Sequence, residues 1–339
     1  MNEFRHQSLR GIWSIIATNR VHKPTTRTEK PEFVATDPFV TGNEKNTPSE
    51  IYSIREQPSI TASWKTRVFA NKFPLLALES PSSHELKGIY STIGGFGAHE
   101  MVIDHQKSNK HLCRFSAENL RDLMLTFRDR IASLCQDERI ESIIAFKNQG
   151  TFAGNTIPHS HSQIVALPFI APDIAVQIEN SRNHYRDNGR CLLCDTLSFE
   201  EAQKDRVLFR NRSFIAFAPF APRFEFEIWV APIVHQSSFT NITKDALADL
   251  GEILQWSLQR LGIALNNPDL NLLIVTDPPR RNNFDPNYFH QISRFFHWHI
   301  EILPRIHPFD GFEIASGVYV CTIAPETYVE YLKELNIFN

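Results

Sequence analysis

Residues 148–168 read NQGTFAGNTIPHSHSQIVALP and residues 297–304 read HWHIEILP. Each carries histidines at alternating positions and then an apolar run ending at proline, the pattern of a strand with a polar group kept on one face. His161 and His297 each stand seven residues before a proline, Pro168 and Pro304. Working outward from these anchors, the preceding segments also match. Before the first lie strand-like runs TRVFANKFPLLALES (66–80) and HEMVIDH (99–105). An amphipathic helix follows, opened by Ser116 and running to about Leu134, whose Leu120, Leu123, Phe127 and Ile131 recur every three or four positions. ESIIAFKNQG (141–150) is another buried strand. Before the second anchor lie RVLFRNRSFIAFAPF (206–220), FEFEIWVAPIVHQ (224–236), a helix from about Thr243 to Leu265, and the strand NLLIVTDPP (271–279). Glu100 in the first set parallels Glu227 in the second. The order strand, strand, helix, strand, strand therefore occurs twice, and the pattern predicts an internally duplicated α+β protein. Each half is an antiparallel sheet with a helix packed on one face.

On this reading residues 1–63 form an N-terminal arm and loop joining the first half, irregular over 21–63 where Thr, Pro, Glu and Asn cluster. Residues 64–171 are the first half, 172–190 a polar helical or extended connection, and 191–339 the second half. The 339 residues, 42% hydrophobic and 22% charged, supply material for one core or two similar cores side by side. A net charge of -3 argues against nucleic-acid binding through bulk electrostatics, while a local phosphate pocket stays compatible with it. No apolar run approaches the ~20 residues of a membrane span. The opening MNEFRHQSLRGIWS has neither signal-peptide nor transit-peptide character, so a cytoplasmic protein with no membrane partner is expected. Five cysteines, an odd number of which only Cys191 and Cys194 form a close pair, read as reduced thiols with one metal-type motif.

Alternation on a strand projects His159, His161 and Gln163 together, beyond a loop whose glycines let backbone N–H groups approach phosphate oxygens. A neutral imidazole beside such a cradle is a nucleophile toward a phosphoanhydride, and Gln163 can donate to an oxygen as charge builds. The competing reading of any one strand histidine is a packed, hydrogen-bonded core group. Cys191, Cys194, His235 and His297 form the second constellation, since CxxC with two distant histidines suits tetrahedral zinc in a closed, structural site. A redox reading would want the CxxC after a strand and opening a helix, and the polar RDNGR before it does not supply that strand. His299 is either a further ligand or a core polar group. Glu227, Glu301 and Glu313 lie in apolar segments, where a salt bridge explains a carboxylate as well as substrate binding does. Arg20 is a candidate phosphate contact.

These residues resemble the galactose-1-phosphate uridylyltransferases and their nucleotidylyltransferase relatives in the histidine triad superfamily. The resemblance runs from RHQSLRGIWSIIATNR (5–20) through NQGTFAGNTIPHSHSQ to HWHIEILPR and GFEIASGVYV (311–320). It implies two tandem histidine-triad-like halves and ping-pong transfer of a nucleoside monophosphate, in which the second histidine of HxH attacks the α-phosphate of a nucleotide sugar. The nucleophile role then falls on His161 and the orienting role on Gln163. Phosphate-loop roles fall on Asn148, Gly154, Asn155 and Thr156, nucleotide contacts on Arg20 and Asn71, and Glu313 joins the substrate-binding set. Many relatives bind a first zinc at positions matching Asp37, Val40, Ser108 and His159, of which three are not the usual ligands, so that site is expected to be lost. The second set, Cys191, Cys194, His235 and His297, is complete, as in the ADP-glucose phosphorylase branch, which also shares the HSHSQ wording. Expected partners are a nucleotide sugar with a sugar 1-phosphate or phosphate, and family members are commonly homodimers. Uridylyl transfer from UDP-glucose to a hexose 1-phosphate leads. ADP-glucose or diadenosine tetraphosphate phosphorolysis is the alternative, and an idle nucleotide-binding protein the second.

Overall fold

Period-two and period-3.6 spacing put apolar side chains on one face of each element, and the computed structural model, which describes residues 3–7, 12–16, 37–57, 63–279 and 287–335, shows where those faces meet. Strands β1 (Glu3–Gln7) and β2 (Ile12–Ile16) come first, then β3 (Glu50–Arg55), β4 (Trp64–Ala70), β5 (His84–Lys87), β6 (Tyr90–Gly94) and β7 (Ala98–Ile103). Helix α1 (Ala117–Leu134) leads to β8 (Ser142–Gln149) and β9 (His161–Leu167). Helices α2 (Pro172–Asn188) and α3 (Leu192–Gln203) precede β10 (Val207–Arg210), β11 (Phe214–Phe217) and β12 (Ile228–Pro232). Then come α4 (Lys244–Ala264), β13 (Leu270–Val275), α5 (Ile292–Phe295), β14 (His299–Pro304), α6 (Gly311–Ser316) and α7 (Pro325–Glu334). The connection over 172–190 is helical: Pro172 pre-sets its first turn and Gly189, at φ 70°, ends it.

Two sheets form among the described residues. A small one runs β2-β1-β6-β5, and a large antiparallel one of ten strands runs β10-β11-β12-β14-β13-β8-β9-β7-β4-β3. Read inward from the β3 edge, the large sheet is β3, β4, β7, β9, β8; from the β10 edge it is β10, β11, β12, β14, β13. The expected separate sheets are thus one, because β8 and β13 pair along their length, Leu270 with Gln149 through Ile274 with Ala145. Each would otherwise present an unpaired edge. Residues 50–55, inside the stretch read as irregular, instead form β3, which pairs with β4.

The register corrects both anchors of the predicted repeat. His161 opens β9, and it is His299, not His297, that opens β14. Glu100 faces the helix layer and is held by Arg130 of α1 at 2.6 and 2.9 Å, whereas Glu227 meets Arg223 and Trp229 beside Glu301, on the other face. A two-residue slip in counting back from proline keeps the face and shifts the position, which the linear spacing does not reveal.

One core serves both ends of the sheet: Leu120, Phe127 and Ile131 of α1 and Leu250, Leu254 and Leu258 of α4 pack with Ile164, Ala166, Leu272 and Ile300. Ser116 and Asn119 close a capping box on α1, and Thr243 caps α4. The helices touch at Gly251, where a Cβ would lie 2.3 Å from the carbonyl oxygen of Ala117. Gly251→Ala gains about 1 kcal/mol of helix propensity, but backbone cannot yield as a flexible side chain does, and overpacking costs about 1–3 kcal/mol or more. A lower melting temperature is expected for Gly251→Ala; a raised one refutes this account of the helix crossing. No helix among the described residues is long and apolar enough to cross a membrane.

Candidate active site and metal cluster

Because Ile164 and Ala166 face the helices, alternation sends His161 and Gln163 to the opposite face of β9. Lys147 pairs with Ser162, so the next residue of β8, Asn148, joins His161 on that face. Between them runs the loop 150–160. Gly150 and Gly154 both have positive φ, 82° and 87°, which only glycine adopts freely. A Cβ on Gly150 would lie 1.8 Å from Asp269, whose carboxylate accepts the Phe152 N–H at 2.7 Å. Asn155 accepts the Ile157 N–H at 2.9 Å, tightening the turn that carries Thr156.

His161 Nδ1 donates to the carbonyl oxygen of His159 at 2.9 Å, which leaves the lone pair on Nε2. Burial pushes its pKa down to about 4 against the ordinary 6.5, the Lys147 charge adding to the shift, so the ring is neutral at physiological pH. Lys147 itself is buried. Its ammonium donates to Asp104 at 2.6 Å, Ser160 at 2.9 Å and the carbonyl oxygen of His161 at 3.1 Å, fixing the start of β9. His159 has no free nitrogen: Nδ1 meets Asp37 at 2.7 Å and Nε2 the carbonyl oxygen of His105 at 2.7 Å. These contacts tie the loop end to the 37–40 segment and to the end of β7. Burial raises the Asp37 carboxyl, but hydrogen bonds from His159, Phe39 N–H and Ser108 outweigh it and hold the group below its usual range.

Gln163 Oε1 lies 2.8 Å from His99 Nε2, and Asn71 Nδ2 lies 3.2 Å from the same nitrogen. Asn148 Oδ1 accepts from Asn271 at 2.8 Å. The structure therefore gathers His161, Gln163, Asn148 and Asn71 around one face, with Gly154, Asn155 and Thr156 in the adjoining loop. Glu313 lies on α6, where it accepts the Asp310 N–H at 3.1 Å in a capping box. Arg20 lies outside the described residues. Sequence reading missed His99, Asn271 and Lys147. A lysine inside the apolar strand SIIAFKNQ was the one local signal among them.

Cys191 caps α3, Cys194 lies within it, His235 follows β12 and His297 precedes β14, and their ligand atoms all lie within 4.8 Å of one another. Cys194 Sγ is 3.3 Å from His235 Nδ1 and 3.5 Å from His297 Nδ1. A tetrahedral ion with bonds of about 2.0–2.3 Å sets its ligand atoms about 3.3–3.8 Å apart, so these residues fit a bound metal. His235 Nε2 donates to the carbonyl oxygen of Ser293 at 2.9 Å, which turns its Nδ1 lone pair to the cluster. The hydrogen bond from Cys194 draws the Cys191 thiol well below its usual value, and His235 and His297 add to it. The CxxC does open a helix, but after α2 and not after a strand. His299 lies outside the cluster: its ring stacks on Trp229 at 4.6 Å and its Nε2 stands 3.4 Å from Glu301. Arg223 bridges Glu301 at 2.6 Å and Glu227 at 3.0 Å, which supports the salt-bridge reading of both. Where β9 offers an imidazole and an amide, β14 offers an imidazole and a carboxylate, and a carboxylate repels phosphate.

A helix-backed antiparallel sheet presenting a neutral strand histidine beside amides and a glycine-bearing loop defines a nucleotidyltransferase-like protein of the histidine-triad type. The chain belongs to the galactose-1-phosphate uridylyltransferase and ADP-glucose phosphorylase family. ADP-glucose phosphorylase of Arabidopsis thaliana is 30% identical over 99% of this chain and 93% of its own length. The crystal structure of an Arabidopsis ADP-glucose phosphorylase with bound ADP-glucose superposes with a TM-score of 0.77 at 29% identity, covering 99% of this chain and 100% of that one. Galactose-1-phosphate uridylyltransferase of Thermotoga maritima is 24% identical over 79% of this chain and 84% of its own length. A family model described as the N-terminal domain of DUF4931, a domain of unknown function, matches residues 65–170. Membership of this family supports nucleotidylyl transfer on sugar phosphates.

Proposed function

We propose that the chain transfers a nucleoside monophosphate by a ping-pong route through His161 Nε2. The observation that carries this is the buried, neutral imidazole whose Nδ1–H is held by a backbone carbonyl. Nε2 attacks the α-phosphorus of a nucleotide sugar, an N–P bond forms, and the P–O bond to the sugar phosphate breaks, its electron pair leaving with the sugar 1-phosphate. An oxygen of phosphate or of a second sugar phosphate then attacks the same phosphorus and frees His161. Gln163, Asn148 and the loop 150–156 bind the α-phosphate oxygens, and Asn71 and Arg20 hold the nucleotide. Adenylyl transfer to phosphate is the first reading, because the ADP-glucose phosphorylase relative matches almost the whole chain at 30% identity. Uridylyl transfer is the second, on the Thermotoga relative.

Two thiolates and two imidazoles are a donor set suited to zinc, and a closed set of four gives it a structural role. The Asp37–His159 pair stands where the resemblance places the first zinc of relatives, and it ties the 37–40 segment to the active-site strand directly. The mirrored order of the sheet supports two tandem histidine-triad-like halves, 64–171 and 191–339, joined by 172–190. ADP-glucose with phosphate, followed by phosphorus-31 NMR, is expected to give ADP and glucose 1-phosphate, and UDP-glucose with galactose 1-phosphate is the competing pair; turnover of neither refutes the proposal.

The pH profile gives a second check. Because the His161 pKa is lowered to about 4, its neutral form persists well below the ordinary imidazole range. The rate of covalent adduct formation is expected to stay flat from about pH 8 to 6 and to fall only as pH approaches 4. A half-maximal rate near pH 6.5 shows an ordinary, solvated histidine and overturns the assignment.

A further inference from the structure

An amide side chain has nearly the same shape whichever way it is turned, yet its oxygen repels a phosphate and its NH2 attracts one. Something must set the orientation of Gln163 and Asn148. We propose that His99 and Asn271, anchored respectively by the Leu75 backbone N–H and by Arg305, are positioning residues that hold both amides with their NH2 groups available to the phosphate at His161. The inference rests on the reading of His161 as nucleophile.

Each relay starts at a group whose polarity cannot invert. The backbone N–H of Leu75 donates to His99 Nδ1 at 3.0 Å, so in the neutral ring the proton sits on Nε2. That nitrogen lies 2.8 Å from Gln163 Oε1 and donates to it. Asn71 cannot compete for the proton, because its Oδ1 accepts the Phe73 N–H at 2.9 Å and its Nδ2, 3.2 Å from His99 Nε2, is a donor and offers that proton no acceptor. In the second relay the Arg305 guanidinium, which can only donate, meets Asn271 Oδ1 at 3.0 Å. The other end of Asn271 donates to the carbonyl oxygen of Ala153 at 3.0 Å, which can only accept, and to Asn148 Oδ1 at 2.8 Å. Arg305 is itself stacked 4.7 Å over Phe224. Both chains of donors thus end on an amide oxygen, and each leaves an NH2 on the His161 face. Asn271 and Arg305 come from the β13–β14 end of the sheet, so that end orients a group used by the other.

Single-turnover labelling of His161 with ADP-glucose and with UDP-glucose tests this. His99→Leu and Gln163→Leu are each expected to slow adduct formation about 100-fold, the size of effect that loss of one oriented donor has at a developing anion. The double variant should be no slower than Gln163→Leu alone, and His99→Gln, whose NH2 reaches the Nε2 position, should restore part of the rate. Asn271→Asp, the same shape with the donor reversed, should slow the reaction at least as much as Asn148→Leu. Losses that multiply in the double variant, or an unaltered rate in His99→Leu, overturn the proposal. Independently of activity and of variant folding, nitrogen-15 NMR of histidine-labelled wild type should show His99 as the Nε2–H tautomer, and the Nδ1–H tautomer overturns it. Wild type that takes no label from either nucleotide sugar refutes the nucleotidyl-transfer reading, while the tautomer still decides the orientation of Gln163.

Discussion

Incubated with ADP-glucose labelled on its α-phosphorus, the wild-type chain is expected to acquire a phosphoramidate that survives alkali and is lost in acid, and His161→Asn is expected to acquire none. Asparagine is chosen because its amide NH2 can replace Nδ1–H as donor to the carbonyl oxygen of His159, at 2.9 Å in wild type, while nothing replaces Nε2. The structural cost is therefore small, about 1 kcal/mol for one altered hydrogen bond. The chemical cost is the whole covalent route. Removing a nucleophile from an assembled site typically lowers turnover by about 10^4-fold or more, so residual turnover should fall near background with Tm almost unchanged. Labelling of His161→Asn at the wild-type level moves the covalent step to another residue. His159→Asn separates the two histidines: it breaks the contacts to Asp37 and to the His105 carbonyl but leaves His161 Nε2 in place, so slower labelling with a clear loss of stability is expected.

Chelation produces the second large effect. Cys191, Cys194, His235 and His297 draw together the start of α3, the exit of β12 and the entry to β14. A bound ion there closes long loops of chain, and structural zinc in small finger peptides is worth about 10–16 kcal/mol. If a third of that is realised here, about 4 kcal/mol, Tm drops by about 5–10 °C for a chain of this size. Elemental analysis should find about one zinc per chain, and Cys191→Ser or prolonged treatment with a strong chelator should release it together with that drop. A metal-free preparation with unaltered Tm rules out a structural ion at this cluster. The effect on turnover should follow stability, because the cluster shares no side chain with the His161 face.

Chemistry written into adjacent residues was legible without a structure. HSHSQ places an imidazole and an amide on one face by alternation alone, and CxxC brings two thiolates to one point by turn geometry alone. Helices α1 and α4 could be read from spacing, since their buried residues recur at three and four. The carboxylates were not legible. Glu100, Glu227 and Glu301 look alike in sequence, and their ion pairs depend on which face and which neighbour each strand meets. His99 illustrates the same limit, because its role comes from Leu75 on one side and Gln163 on the other.

By itself, then, the sequence determined most element types and pointed to His161 and to the Cys191, Cys194, His235 and His297 set, because periodicity, turn propensity and ligand chemistry act over a few residues. Only the tertiary structure decided that the two ends of the sheet merge through β8 and β13, that His299 and not His297 opens β14 as His161 opens β9, and that His159 pairs with Asp37. Those outcomes turn on pairing register and on contacts between residues more than a hundred positions apart. No local preference encodes which of several similar side chains will arrive there.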